Sequence, residues 1–301
     1  MYYTGFADEA GAPIDVQIKA TKELGWSNIE SRNIDGVNLT DISDEQFEDV
    51  YQKLQEAGIT INCFGSAVAN WGKDPRKEDD FQQSVAELTR AIPRMQKLGT
   101  TMLRGMSFTM LQDEAPDSPE WEAIVVRKVK HLVHMCEDAG IMYVHENCMN
   151  YGGMSHEHTL KLIEAVDSPH FRLVFDTGNP VVTYRKLGNP PYPKQNSWEF
   201  YENVKEFIHY VHIKDGKYLH ETDGIFPEAD YTFPGEGDGN VEKIVKDLLK
   251  NGYDGGFSME PHMALVFHDE SVTSQDEVKY RNYVEYGQRF MKLVEKIRNE
   301  L

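Results

Sequence analysis

The chain has 301 residues and carries 31 Lys and Arg against 50 Asp and Glu, a formal net charge of −19. This length suits one large domain or two small ones, and 40% hydrophobic with 11% aromatic residues is enough for a sizeable core, which excludes collagen-like, disordered and disulfide-scaffold chains. So acidic a total argues against a nucleic-acid partner, because a phosphate backbone needs a basic footprint.

Three cysteines, Cys63, Cys136 and Cys148, are too sparse and odd in number for a disulfide framework. The first ten residues include Asp8 and Glu9 and lack a cationic start followed by an apolar stretch. No run of about 18 apolar residues occurs anywhere. The expectation is a cytoplasmic protein without a membrane span.

In chain order, Tyr2 to Phe6 reads as a strand, 13–25 as a helix and Asn28 to Glu30 as a short strand. A helix over 43–57 places Phe47, Tyr51 and Leu54 on one face, and Ile59 to Cys63 follows as a strand. Phe81, Val85, Leu88, Ile92 and Met95 recur at steps of four and three, one helical stripe. Thr100 to Arg104 is a strand, 119–139 a helix ending at Gly140, and Ile141 to Glu146 a strand. Then come a helix over 155–166, a strand from Phe171 to Asp176, a helix over 197–207 and a strand from Tyr210 to Ile213. A helix from Val241 to Asn251 stops at Gly252, Gly256 to Glu260 is the last strand, and 276–298 is the last helix, with Tyr283, Val284, Phe290, Met291, Val294 and Ile297 inward.

Eight strands alternating with eight helices imply parallel pairing, and eight units in about 300 residues predict an α/β fold, a (β/α)8 TIM barrel forming a single domain over 1–301. A doubly wound open sheet would open with a Gly-rich turn, but the first turn reads Ala7-Asp8-Glu9-Ala10-Gly11. Three long segments, 185–196, 214–239 and 261–275, follow strands and are read as loops on the face where barrels build active sites.

The strand ends carry the chemistry. For strands two to eight they read Glu30, Cys63, Arg104, Glu146, Asp176, His212 and Glu260. Charge at the end of an apolar strand needs a partner. Glu146, Asp176, His212 and Glu260 come from four consecutive strands, and three converging carboxylates repel unless a cation lies between them. Oxygen-rich ligands with one imidazole suit one divalent ion, Mn²⁺ or Mg²⁺ first, then Co²⁺, with Zn²⁺ less favoured. Taken singly, each of these residues reads as a local cap or salt bridge; the reading as a metal site rests on all four together.

The segments Val144-His145-Glu146-Asn147, Val174-Phe175-Asp176-Thr177-Gly178-Asn179, Val211-His212-Ile213-Lys214-Asp215 and Ser258-Met259-Glu260-Pro261-His262, with the Gly-rich Pro234 to Gly239, resemble the xylose-isomerase-like superfamily of sugar isomerases and epimerases. The resemblance implies that Glu146, Asp176, His212 and Glu260 bind the metal. It also implies that Glu146 and Glu260 are the bases that take and return a proton beside a metal-chelated carbonyl, through an enediolate. Arg104, Lys214, Glu30, His262 and Asn147 are the candidate substrate-binding residues, and His145 reads as a packed histidine facing the other way. Phe64, Trp71, Phe108 and Tyr151 are aromatics on or near strand-end loops. Two departures stand against the ketose 3-epimerases. Asn179 occupies a position where those enzymes carry a His, and Lys214 or Lys217 replaces an Arg.

The implied partner is a carbohydrate or cyclitol, with neither nucleic acid nor membrane, and such barrels are often homo-oligomers. A lyase acting on a keto-cyclitol or 3-keto-glycoside shares the first half of this chemistry. An AP-endonuclease-like phosphodiesterase needs more His ligands, yet strands three and four end in Cys63 and Arg104. A sugar-binding barrel without catalysis is the remaining reading.

Overall fold

The computed structural model describes residues 1–263 and 275–301. Eight parallel strands form one sheet: β1 (Tyr2–Gly5), β2 (Asn28–Ser31), β3 (Thr60–Gly65), β4 (Met102–Gly105), β5 (Met142–Glu146), β6 (Phe171–Asp176), β7 (Ile208–Ile213) and β8 (Gly256–Met259). Neighbours in sequence are neighbours in space from β2 to β8, and β8 pairs in parallel with β1 from Tyr2↔Gly256 to Gly5↔Met259. A single bridge, Phe6↔Glu30, joins β1 to β2, so the cylinder is nearly closed. Eight α-helices lie among the described residues: α1 (Ile14–Glu23), α2 (Asp44–Ala57), α3 (Glu78–Leu98), α4 (Pro119–Asp138), α5 (His156–Val166), α6 (Ser197–Val204), α7 (Val241–Lys250) and α8 (Gln275–Glu300).

Local chemistry sets the helix bounds. Ser43, Ser118, Ser155 and Asn196 each accept a backbone N–H from the residue three further on, satisfying one orphan donor of the first turn. Gly58 and Gly99 end α2 and α3 in the left-handed region. The inward stripe of α3 is Phe81, Leu88 and Met95, with Val85 and Ile92 half-buried at its margin. In α2, Val50 is buried beside Phe47 and Leu54, while Tyr51 is half-buried at the rim under the Lys97 ammonium.

The period-2 geometry of strands explains where charge and apolar bulk lie. Cys63, Met102, Val144, Val174 and Tyr210 pack together inside the barrel and make its apolar floor. Two residues after four of these, on the same face, stand Arg104, Glu146, Asp176 and His212. Each of these four strands, β4 to β7, therefore contributes an apolar plug below and a polar group above. The second, larger core fills the layer between sheet and helices. Gly105 ends β4 because Tyr143 of β5 lies against it: a Cβ there would stand 2.0 Å from the ring.

One of the three long segments holds more structure than expected. Residues 214–239 contain an antiparallel hairpin, Asp215–His220 with Glu228–Thr232. A second small hairpin, Asn33–Ile34 with Val37–Asn38, follows β2. In the third segment, 264–274 lie outside the described residues. No helix among the described residues is long and apolar enough to cross a membrane.

Candidate metal centre

Glu146 and Asp176 end β5 and β6, His212 is the last residue but one of β7, and Glu260 follows β8 directly. All four are buried, and one ligand atom from each falls within 4.8 Å of the others. His212 Nδ1 stands 3.8 Å from Glu146 Oε1, 4.0 Å from Asp176 Oδ2 and 3.6 Å from Glu260 Oε2. Divalent ions with bonds of about 2.1 Å hold ligands up to about 4.2 Å apart, so the four atoms are near the spacing of a coordination shell.

Of these atoms, His212 Nδ1 is buried without a hydrogen-bond partner among the described residues, whereas Asp176 Oδ2 and Glu260 Oε2 share the Lys214 ammonium at 3.2 and 2.9 Å. An orphaned buried polar atom costs about 1–3 kcal/mol. One orphaned nitrogen and two oxygens that share a single ammonium, all within 4.8 Å of one another, are what a further cation would satisfy. The rest of each side chain is tied down. Asp176 Oδ1 accepts the N–H groups of Gly178 and Asn179 at 2.8 and 2.6 Å. Glu146 Oε2 accepts from Arg104 and its Oε1 from the Asn179 amide, both at 3.0 Å. Glu30 accepts from His212 Nε2 at 3.0 Å, which leaves the Nδ1 lone pair facing the carboxylates.

Charge supports the same conclusion. With His212 neutral, as a metal-ligating imidazole is, and every carboxyl ionised, Asp8, Glu9, Glu30, Glu146, Asp176 and Glu260 face four cationic groups among the described residues, Arg32, Arg104, Lys214 and His262. The excess is two negative charges, that of one divalent ion. Burial alone would raise the Glu146 carboxyl, but Arg104 and His212 hold it down to about 2. Burial likewise opposes ionisation of Glu260, and Lys214 and His262 override it to hold that group well below the usual carboxylate range. Asp176 is lifted by burial to about 7 despite Lys214. Burial would lower His212, yet Glu30 and the ligand carboxylates push it well up, so the cluster draws positive charge to Nδ1.

The residues expected to touch substrate separate into two sets. Arg104 and Lys214 line a cavity of about 230 Å³ together with Glu146, Asn179 and Glu260. Lys214 Nζ reaches Glu260 Oε2 at 2.9 Å, Asp176 Oδ2 at 3.2 Å and Asn179 Oδ1 at 3.0 Å. Glu30 and Asn147 do not line it. Glu30 is fully buried behind His212, where Tyr210 and Ser258 also donate to it at 2.9 and 2.6 Å. Asn147 clamps the backbone of Asp176, accepting from its N–H at 2.7 Å and donating to its carbonyl at 3.0 Å. His262 stands beside the ligands, 3.2 Å from Glu260 Oε1 and 3.0 Å from Glu9, which forms a second carboxylate–imidazole group sharing Glu260. His145 faces away and meets Ser107 at 2.9 Å.

The sequence reading passed over Arg32. It pairs with Asp8 at 2.9 Å, approaches Glu260 within 3.6 Å and lines the cavity. Its guanidinium and that of Arg104 lie 4.6 and 5.1 Å from the Phe6 ring centre. Arg32 follows Glu30 by two residues, so the same spacing that marked Lys214 and His262 marks it too. Of the four loop aromatics, Phe64, Phe108 and Tyr151 are buried in the core and only Trp71 opens onto the cavity.

Residues 18–282 match the family model described as xylose isomerase-like TIM barrel. The chain belongs to that family. Among curated relatives, it is 27% identical over 177 residues to an inosose dehydratase from Clostridium botulinum (strain Alaska E43 / Type E3), covering 55% of this chain and 54% of that protein. It thus spans about half the length of the curated relatives it matches. A D-psicose 3-epimerase from Clostridium cellulolyticum H10, solved with D-tagatose, superposes with a TM-score of 0.69 at 16% identity over 98% of this chain and 99% of that one. The IOLI protein, solved with a zinc atom, gives a TM-score of 0.71 at 16% identity over 99% of both chains.

Proposed function

We propose that the chain is a divalent-metal-dependent sugar isomerase or epimerase that removes a proton from the carbon beside a carbonyl and returns one through an enediolate. The observation that carries this reading is the convergence of Glu146, Asp176, His212 and Glu260 on one buried point, beside a cavity that Glu146 and Glu260 line. An ion held there, with Mn²⁺ the first candidate and Mg²⁺, Co²⁺ and Zn²⁺ the others, supplies the Lewis acidity that brings such a carbon acid within reach of a carboxylate.

Glu146 and Glu260 are the two bases in this reading. They come from β5 and the end of β8, with β6 and β7 between them, and both line the cavity. Both are held ionised at neutral pH, the form a base must have. The substrate carbon loses its proton to one carboxylate, and the planar intermediate so formed gains a proton on its opposite face from the other once that group has taken one from solvent, which inverts the carbon. Lys214, kept charged by Asp176 and Glu260 against the effect of burial, faces the same cavity and neutralises a developing oxyanion. Arg104 does the same from β4.

The second reading is a lyase, in which the same proton abstraction expels a β-leaving group from a keto-cyclitol or 3-keto-glycoside. Similarity to inosose dehydratases and Asn179 at the position of the epimerase His favour it. Proton NMR of keto-sugars and keto-cyclitols incubated in D2O with protein and Mn²⁺ separates the two. Exchange of the α-hydrogen with product of unchanged mass gives an isomerase, and exchange with loss of water or an aglycone gives a lyase. No exchange with metal bound contradicts both, and normal exchange in both Glu146→Gln and Glu260→Gln removes these residues as bases.

A further inference from the structure

The cavity extends beyond the strands that carry the metal ligands. Across from them, the hairpin after β2 and the loop after β3 bring Asn33, Asn38, Asn70 and Trp71 into the same lining as Glu146, Lys214 and Glu260. This side is uncharged apart from Arg32. Asn38 fixes the hairpin by donating to the Gly65 carbonyl at 3.0 Å and accepting from Thr40. Asn70 Oδ1 accepts the Gly72 N–H at 3.1 Å, which orients its amide. Its Nδ2, and the whole Asn33 side-chain amide, make no hydrogen bond among the described residues. Trp71 is 52% exposed, although an indole of its size is normally covered.

Each cation that lines the cavity already has a carboxylate. Arg32 is paired with Asp8 and Glu9, Arg104 with Glu146, and Lys214 with Asp176 and Glu260. Residues 264–274, outside the described residues, contain no Lys or Arg. Phosphate recognition calls for an unpaired Arg or Lys, and the described lining offers amides and an indole instead. Such groups suit an uncharged polyol: amide N–H groups read hydroxyls, and a flat aromatic face covers the C–H side of a sugar ring. A ligand confined to the ligand cluster would leave Trp71 bare, whereas one extended toward β2 and β3 covers it.

We infer that Asn33, Asn70 and Trp71 form an outer subsite for a second, uncharged ring, and that the substrate is a neutral glycoside rather than a sugar phosphate. The inference rests on the metal-centred reading above, which places the reacting ring at Glu146 and Glu260.

The test uses Mn²⁺-loaded full-length protein with cellobiose, maltose, lactose and sucrose, alongside glucose, methyl glucoside and glucose 6-phosphate. Saturation-transfer NMR reads contact and calorimetry reads affinity. The expected result is a disaccharide that receives saturation on both rings and binds more tightly than the monosaccharides and the phosphate. Trp71→Ala should weaken that disaccharide about tenfold, the scale of one aromatic contact, and leave Mn²⁺ affinity and glucose binding unchanged. Absence of disaccharide binding, preference for glucose 6-phosphate, or indifference to Trp71→Ala overturns the outer subsite. Mn²⁺ titration and α-hydrogen exchange in the same preparation report on the metal-centred reading separately: their survival confines the failure to the subsite, and their loss removes both.

Discussion

Glu30 and His212 lie 182 residues apart in the chain and meet inside the barrel, the carboxylate accepting from His212 Nε2 at 3.0 Å. This one contact turns the imidazole so that Nδ1, and not Nε2, faces Glu146, Asp176 and Glu260. A carboxylate behind a metal-ligating His fixes its tautomer and raises its basicity, and losing such a partner commonly costs 10–100-fold in metal affinity. Glu30→Gln should therefore weaken Mn²⁺ binding by roughly that factor, measured by calorimetry, while the side chain keeps its size beneath Tyr210 and Ser258. Unchanged affinity would show that Glu30 does not set the ring.

Metal removal should cost stability. An ion that binds only the folded centre stabilises it by about 2.7 kcal/mol at a hundredfold excess over Kd, roughly 5 °C in Tm for a chain of this size. Treatment with a chelator should lower Tm by about that much, and Mn²⁺ should restore it. Asp176→Ala should respond to neither, because it lacks one of the four converging ligand atoms.

His145 offers a pH test away from the cavity. Its Nε2 meets Ser107 Oγ, which donates to Asn150 and accepts the Gly152 N–H, so the histidine is assigned as the Nε2–H donor. Its Nδ1 is buried without a partner, and burial lowers its pKa to about 4. The folded pKa lies below the unfolded value of about 6.5. The stability due to the neutral ring is thus full above pH 6.5 and is lost as pH falls through 4. Nitrogen-15 NMR should find His145 neutral at pH 5.5, and a charged ring there would contradict the placement.

Asp215 is a structural latch adjoining Lys214. Its carboxylate accepts the N–H groups of Gly216, Gly235, Gly237 and Gly239 at 2.9 to 3.0 Å. A Cβ on Gly237 would stand 2.4 Å from its Oδ1, which accounts for glycine there. Removing the acceptor strands four donors, so Asp215→Ala should cost about 3 kcal/mol in urea denaturation. A cost under about 1 kcal/mol would mean that water replaces the carboxylate.

Much of this was legible in the sequence because strands and helices have distinct periods. Val144 and Glu146, Val174 and Asp176, and Tyr210 and His212 share faces two residues apart, so the floor and the ligand ring are written in the strands themselves. What could not be read was contact across the barrel. Nothing local in Glu30 distinguishes a residue behind His212 from one at the cavity wall, since both face inward from β2. Asn147 likewise gives no local sign that it clamps the next strand. The Asp215–His220 strand was read as loop because its one apolar run, Tyr218-Leu219, is too short to show alternation.

A crystal grown with Mn²⁺ and measured at the manganese absorption edge bears most directly on the ligand set. One anomalous peak is expected within about 2.0–2.4 Å of Glu146, Asp176, His212 Nδ1 and Glu260. A peak elsewhere, or a fully soaked crystal with Asp176 and His212 directed away from any common ion, would contradict it.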